Sequence, residues 1–246
     1  MLRTLVLDIE TAPMVAYVWE RRDVQIAINQ LKADWSVMAW AAKWLGDPPS
    51  KTVYRDQRKA KDVRDDRDLL IPLWKLLNEA DIVITQNGAR FDGPRLTARF
   101  IMHGMKPPSP YRHLDTYKIA HRVAAFTSNS LDYLTGKLCT KYKKLSHGKF
   151  PGMELWKQCL AGNTKAWNEM RRYNINDVLA TEELYRKLEA WAPESFPKPH
   201  SDTQGLLCHT CGSTTHREGI RATKSGRYYR LRCTQCGSWQ KGEKVQ

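Results

Sequence analysis

Two acidic residues end an apolar run near the start of the chain: Leu2-Arg3-Thr4-Leu5-Val6-Leu7 is followed by Asp8 and, after Ile9, Glu10. Side chains two apart on a strand fall on one face, so both carboxylates can point at one site and hold a hard divalent cation. A third carboxylate, Asp92, ends Gln86-Asn87-Gly88-Ala89-Arg90-Phe91-Asp92, which follows the apolar run Ile82-Val83-Ile84 and leads into helical periodicity. That is the carboxyl end of a strand, where open α/β sheets collect their active-site groups. A fourth, Asp177, lies four residues after Tyr173 in a long helical stretch, so the two share a helix face. Each piece alone also fits an ordinary role: a solvated strand end, a helix N-cap, a partly exposed helix face.

These groups meet only if the elements carrying them pack as layers. Strands are expected at residues 36–45 and 52–54, and a helix over 67–78, where Leu69, Leu70, Leu73, Trp74 and Leu77 recur at helical spacing; the strand 82–84 follows. Beyond Phe91 the chain reads as mainly helical, near 93–103, 115–124, 129–138, 152–160 and 164–191, with Asn163 capping the last. Pro193, Pro197 and Pro199 then break the pattern, which predicts a domain over 1–192, a linker over 193–202 and a small module over 203–246. The fold class expected is α/β.

Taken together and in this order, Asp8/Glu10, the Asn-x3-Phe-Asp form of 87–92 and Tyr173/Asp177 resemble the DEDD superfamily of 3′–5′ exonucleases, related to polymerase proofreading domains. Position 172 is Arg, and Tyr stands four before the last Asp, so the resemblance is to the tyrosine subclass, over roughly residues 1–192. It implies a ribonuclease-H-like mixed sheet flanked by helices and a two-metal-ion site for Mg²⁺ or Mn²⁺. It further implies that Asp8 bridges both ions, that Glu10 and Asp177 complete the site of the attacking water, and that Asp92 supports the second ion. Tyr173 would orient that water, since a phenol with pKa near 10 is a poor base at neutral pH. Asn87 is a further binding candidate on the same resemblance. Asp115, which opens a helix, reads as a cap or a group supporting the site.

Near the carboxyl end, Cys208-His209-Thr210-Cys211 and Cys233-Thr234-Gln235-Cys236 form two C-x2-C pairs separated by residues 212–232. Four thiolates at this spacing are a zinc-ribbon pattern, and one structural Zn²⁺ would supply folding free energy that so small a module lacks. His209 and His216 are then spectators, and Cys139 and Cys159 small buried side chains. Residues 203–246 carry eight basic and two acidic side chains, with Tyr228, Tyr229 and Trp239 available for stacking. Tyr228, Arg230 and Arg232 are therefore nucleic-acid-binding candidates, as are Lys143 and Lys144 in the basic stretch 141–150, a flap able to contact phosphates.

The whole chain, 246 residues, carries a formal net charge of +14, which favours a polyanionic partner. Nucleic acid, with DNA favoured, is the expected partner, alongside a replication or repair protein. No apolar run approaches the roughly 18–20 residues that span a bilayer, and no secretory pattern is seen, so an intracellular location is expected. An RNA-trimming exonuclease and a noncatalytic nucleic-acid-binding adaptor remain open on the same residues.

Overall fold

Alternation along β1 (Thr4–Ala12) sets the two sides of a central sheet. Leu5, Leu7 and Ile9 are buried in one cluster and Val6 in another; Asp8 and Glu10, in phase with Val6, share its side. After β1 the chain makes a two-stranded excursion, β2 (Val15–Ala16) and β3 (Leu31–Ala33), and returns through β4 (Ser36–Trp44) and β5 (Val53–Asp56). There follow α1 (Arg67–Glu79), β6 (Ile82–Thr85), α2 (Asp92–Met102), β7 (Arg112–Asp115), α3 (Thr116–Val123), α4 (Leu131–Leu138), α5 (Glu154–Leu160) and α6 (Thr164–Leu188). The structure, a computed structural model, describes residues 2–20, 22, 24–146, 148–203 and 205–245.

The sheet order is β5-β4-β1-β6-β7. β4 is antiparallel to β1 and β5, while β6 runs parallel to β1 and β7 parallel to β6. Ile119, Leu134, Val178, Leu184 and Leu188 of α3, α4 and α6 close over the Val6 side, and α1 and α2 cover the other with Leu70, Leu73, Leu77, Leu96 and Phe100. The sheet is thus mixed and helix-flanked as expected. Among the described residues from Asp92 to Leu188 the chain is mainly helical, as expected, and β7 is the one strand added to that reading. Arg112 and His113 carry little strand signal, and their extended state is fixed by pairing with Ile82 and Val83.

Two buried ion pairs set the helices that carry the acidic residues. Asp66, fully buried, accepts from the backbone N–H of Val37 at 2.7 Å and from Arg99 Nε and Nη2 at 2.7–3.0 Å, tying α2 to β4 and the start of α1. Lys43 Nζ lies 2.5 Å from Glu182 Oε2 and ties β4 to α6. Asn163 caps α6, its side chain accepting from the backbone N–H groups of Lys165 and Ala166.

Residues 193–202 carry packing contacts: Leu2 N–H donates to Pro199 O at 2.8 Å, and Phe196 packs on the α6 side of the core. Beyond them β8 (Thr215–Thr223), β9 (Gly226–Cys233) and β10 (Trp239–Lys244) form an antiparallel sheet in the order β10-β9-β8. Among the described residues no helix is long and apolar enough to cross a membrane.

Candidate active site

The sheet ends its central strands at one place. Asp8 and Glu10 lie at the carboxyl end of β1, and Asp92 opens the helix after β6. Asp92 is not the N-cap of α2: Phe91 holds that position, and Asp92 Oδ1 instead accepts from the backbone N–H of Ile9 at 3.1 Å, between the two β1 carboxylates. Gly88 makes this approach possible, since a Cβ there would collide with Thr85 Oγ1 and lie 2.8 Å from Asp92 Oδ2. Asp177 reaches the group from α6, and its charge acts on both Asp8 and Glu10.

Asp115, at the end of β7, holds the turn before Asp92. Its Oδ1 accepts from the N–H of Asn87 at 2.8 Å and of Tyr117 at 3.0 Å, and its Oδ2 from that of Ala89 at 3.1 Å. It is a cap and a support for the turn, as the sequence suggested. Asn87 adopts φ 61°, the left-handed region that Asn tolerates better than most side chains, and is exposed on that turn.

Burial and mutual repulsion leave the carboxylates reluctant to ionise. Burial, then the charge of Asp177, pushes Glu10 up to about 8. Burial also raises Asp92 to about 7 against the pull of the Ile9 N–H, and Asp8 is raised well above the carboxylate range by burial and by Asp177, Asp92 and Glu10. Such a set requires positive charge to stay ionised at neutral pH. Lys144 supplies one: its Nζ lies 2.6 Å from Asp177 Oδ2 and 4.5 Å from the centre of the Tyr173 ring. Tyr173 is buried, and burial with the charge of Asp177 pushes its phenol up to about 12, so it keeps its proton at neutral pH.

Two participants were not legible in the sequence, and for a third, Lys144, only the position was not. Trp156 Nε1 donates to Glu10 Oε2 at 3.0 Å, and its ring meets Tyr173 edge-on at 6.3 Å. Asn174, fully buried, donates from Nδ2 to Asp8 Oδ2 at 2.6 Å; its adjacency to Tyr173 was the one available signal. Lys144 was expected on a phosphate-contacting flap, whereas its ammonium stands among the carboxylates. Glu183 on α6 pins the start of that loop through the N–H groups of Thr140, Lys141 and Tyr142, and Asn176 Nδ2 donates to Lys143 O at 2.7 Å. Lys143 itself is exposed. A cleft of about 350 Å³ borders Glu10, walled by Pro13, Phe91, Met153 and Trp156.

Among the described residues the positive side chains acting on the four carboxylates are Lys144 and, at Asp92, Arg95, and oxygen donors are what hard divalent cations take. The donor set therefore fits Mg²⁺ or Mn²⁺. Among the described residues the group whose ligand atoms all lie within 4.8 Å of one another is in the carboxyl-terminal sheet, the Sγ atoms of Cys208, Cys211, Cys233 and Cys236. The Cys208–Cys236 and Cys211–Cys233 sulfurs are 3.7 and 3.5 Å apart, near the roughly 3.8 Å edge of a tetrahedron built on 2.3 Å Zn–S bonds. His216 pairs with Glu218 at 3.2 Å, and neither it nor His209 joins the sulfur set. Tyr228, Arg230 and Arg232 lie on β9 of this second sheet.

Residues 47–189, more than half of the chain, match the family model described as RNase_H superfamily, and the chain belongs to that superfamily. The matched segment begins after β1, so Asp8 and Glu10 precede it. Comparison with curated proteins returned no match. Among solved structures the chain is similar to the family B DNA polymerase from the hyperthermophilic archaeon Pyrobaculum calidifontis, with TM-score 0.51 and 15% identity over 94% of this chain and 32% of that one. The chain thus spans about a third of that polymerase, and the likeness is one of fold. The fold is RNase H-like, and superfamily and carboxylate set together support a nuclease.

Proposed function

We propose that the chain is a metal-dependent 3′–5′ exonuclease of the tyrosine DEDD type, hydrolysing phosphodiester bonds from the 3′ end of nucleic acid, with single-stranded DNA favoured. The observation that carries this reading is the convergence of Asp8, Glu10, Asp92 and Asp177 around one site, with Tyr173 beside Asp177 and Lys144 on both. Four crowded carboxylates, Asp92 and Asp177 buried and Asp8 and Glu10 half-buried, are costly for a fold to keep unless a cation uses them.

Two Mg²⁺ or Mn²⁺ ions held by these four residues would neutralise the charge that builds on the phosphoryl oxygens and make water a competent nucleophile near neutral pH. The chain's own groups do the rest. Trp156 fixes Glu10, Asn174 fixes Asp8, and the Ile9 N–H fixes Asp92, so the ligands are oriented before substrate arrives. Tyr173, protonated, orients the attacking water by hydrogen bonding. Cys208, Cys211, Cys233 and Cys236 hold one structural Zn²⁺. A replication or repair protein is the further partner proposed.

The test is release of label from 3′-labelled single-stranded DNA, duplex DNA and RNA with Mg²⁺ or Mn²⁺. Mononucleotide release from single-stranded DNA, abolished by Asp177→Ala, is expected. Equal rates for Asp177→Ala and the parent would overturn the assignment, and faster release from RNA would move the substrate to RNA.

A further inference from the structure

The register of the carboxyl-terminal sheet sorts its side chains by face. Arg232 pairs with Trp239 and His216, Arg230 with Lys241, and Tyr228 with Lys244 and Arg221, so these residues share one side. The other side carries buried Leu231 and the pair of Arg217 over Tyr229. On the first side aromatic rings and cations interleave. Arg230 and Arg232 lie 4.9 and 5.4 Å from the Trp239 ring centre, and Lys241 Nζ lies 3.4 Å from that of Tyr228. Trp239 is 45% exposed, and Arg230, Arg232 and Lys241 are exposed too. A cleft of about 550 Å³ runs along this face past Arg221, Tyr228, Arg230, Trp239 and Lys241, with Glu194 on its rim 3.9 Å from Arg221.

The spacing carries the chemistry. Arg232, beside Trp239, and Tyr228 are four residues apart on one strand, about 13 Å at ~3.3 Å per residue. The order along the face is ring, cation pair, ring. We infer that this face is a platform for unpaired nucleic acid, with bases stacking at Trp239 and Tyr228 and the intervening phosphate held by Arg230 and Lys241; this rests on nucleic acid being the substrate. A duplex hides its base faces and offers these rings nothing to stack on. An acidic peptide would engage the cations and leave the rings unused. Arg232 contributes less charge, because Glu218 Oε1 lies 3.5 Å from its Nη1. The platform makes the carboxyl-terminal sheet the strand selector of the protein.

Binding of a fluorescein-labelled oligothymidylate and of a blunt duplex is measured by anisotropy on the full zinc-loaded chain carrying Asp8→Asn, so that cleavage plays no part. Trp239→Ala is expected to weaken single-strand binding about tenfold and leave duplex binding unchanged. Trp239→Phe should retain most of the affinity, and zinc content should stay at one ion per chain in both variants. Arg230→Ala should weaken binding and lower the slope of log K against log salt by about 0.7. Equal affinity of Trp239→Ala and its parent for the single strand, or equal losses on both probes, would overturn the platform. Either result would leave the nuclease assignment standing, since that is read from cleavage.

Discussion

Lys144 Nζ lies 2.6 Å from Asp177 Oδ2, placing the ammonium of a basic loop inside the carboxylate set that gathers around β1. Burial disfavours its charge, but Asp177 and Tyr173 outweigh that and hold it protonated. Divalent cations held by the same carboxylates would compete with it for Asp177.

Lys144→Met should therefore destabilise the metal-free protein, which loses a charge-assisted hydrogen bond worth about 1.5–3 kcal/mol, and should tighten Mn²⁺ binding by removing a competing cation. Thermal melting without metal and calorimetric titration with Mn²⁺ read the two effects separately. An unchanged melting point together with unchanged Mn²⁺ affinity would show that the ammonium does not serve the site.

The pH dependence of stability has a sign fixed by the same cluster. Glu10 is raised from 4.5 to about 8 and Asp92 from 3.8 to about 7. The folded state thus binds more protons than the unfolded chain between those values. Their contribution is fully present below about pH 4, the unfolded range, and is lost as pH rises through 7 to 8. The metal-free protein should melt at least ~3 °C lower at pH 8.5 than at pH 5, and saturating Mn²⁺ should remove most of the difference. A metal-free melting point that rises over this interval would contradict the electrostatics of the cluster.

Gly88 gives a prediction about shape. A methyl at this position collides with Thr85 and presses on Asp92, so Gly88→Ala must move the turn that Asp115 holds. Overpacking of this kind costs about 1–3 kcal/mol. Cleavage should fall by about 10²-fold, the order expected for ~1 Å of misplacement, while zinc content is unchanged. Parental activity in Gly88→Ala would mean that Asp92 does not have to sit against Ile9.

Much of this site could be read before the structure because it is local in sequence. Asp8 and Glu10 follow from strand alternation, Tyr173 and Asp177 from helical spacing, and Asn163 from capping. Trp156 and Asn174 could not be read, since they act on carboxylates 146 and 166 positions away. The inward turn of Lys144 depends on Glu183 and Asn176 holding its loop to α6, which a basic stretch does not announce. β7 was missed because Arg112 and His113 owe their extended state to a neighbour. The sorting of the carboxyl-terminal face depends on register, including the irregularity between Lys241 and Lys244, and no composition argument contains it.

The central claim, that four carboxylates and a tyrosine cleave nucleic acid one nucleotide at a time from its 3′ end, is tested most directly with a 5′-labelled single strand. With Mg²⁺ or Mn²⁺ the label should pass through a ladder of products shortening one nucleotide at a time, with none in EDTA and at least ~10³-fold less with Asp8→Asn. A single internal product, a labelled mononucleotide as the first product, or the same ladder from Asp8→Asn would contradict it.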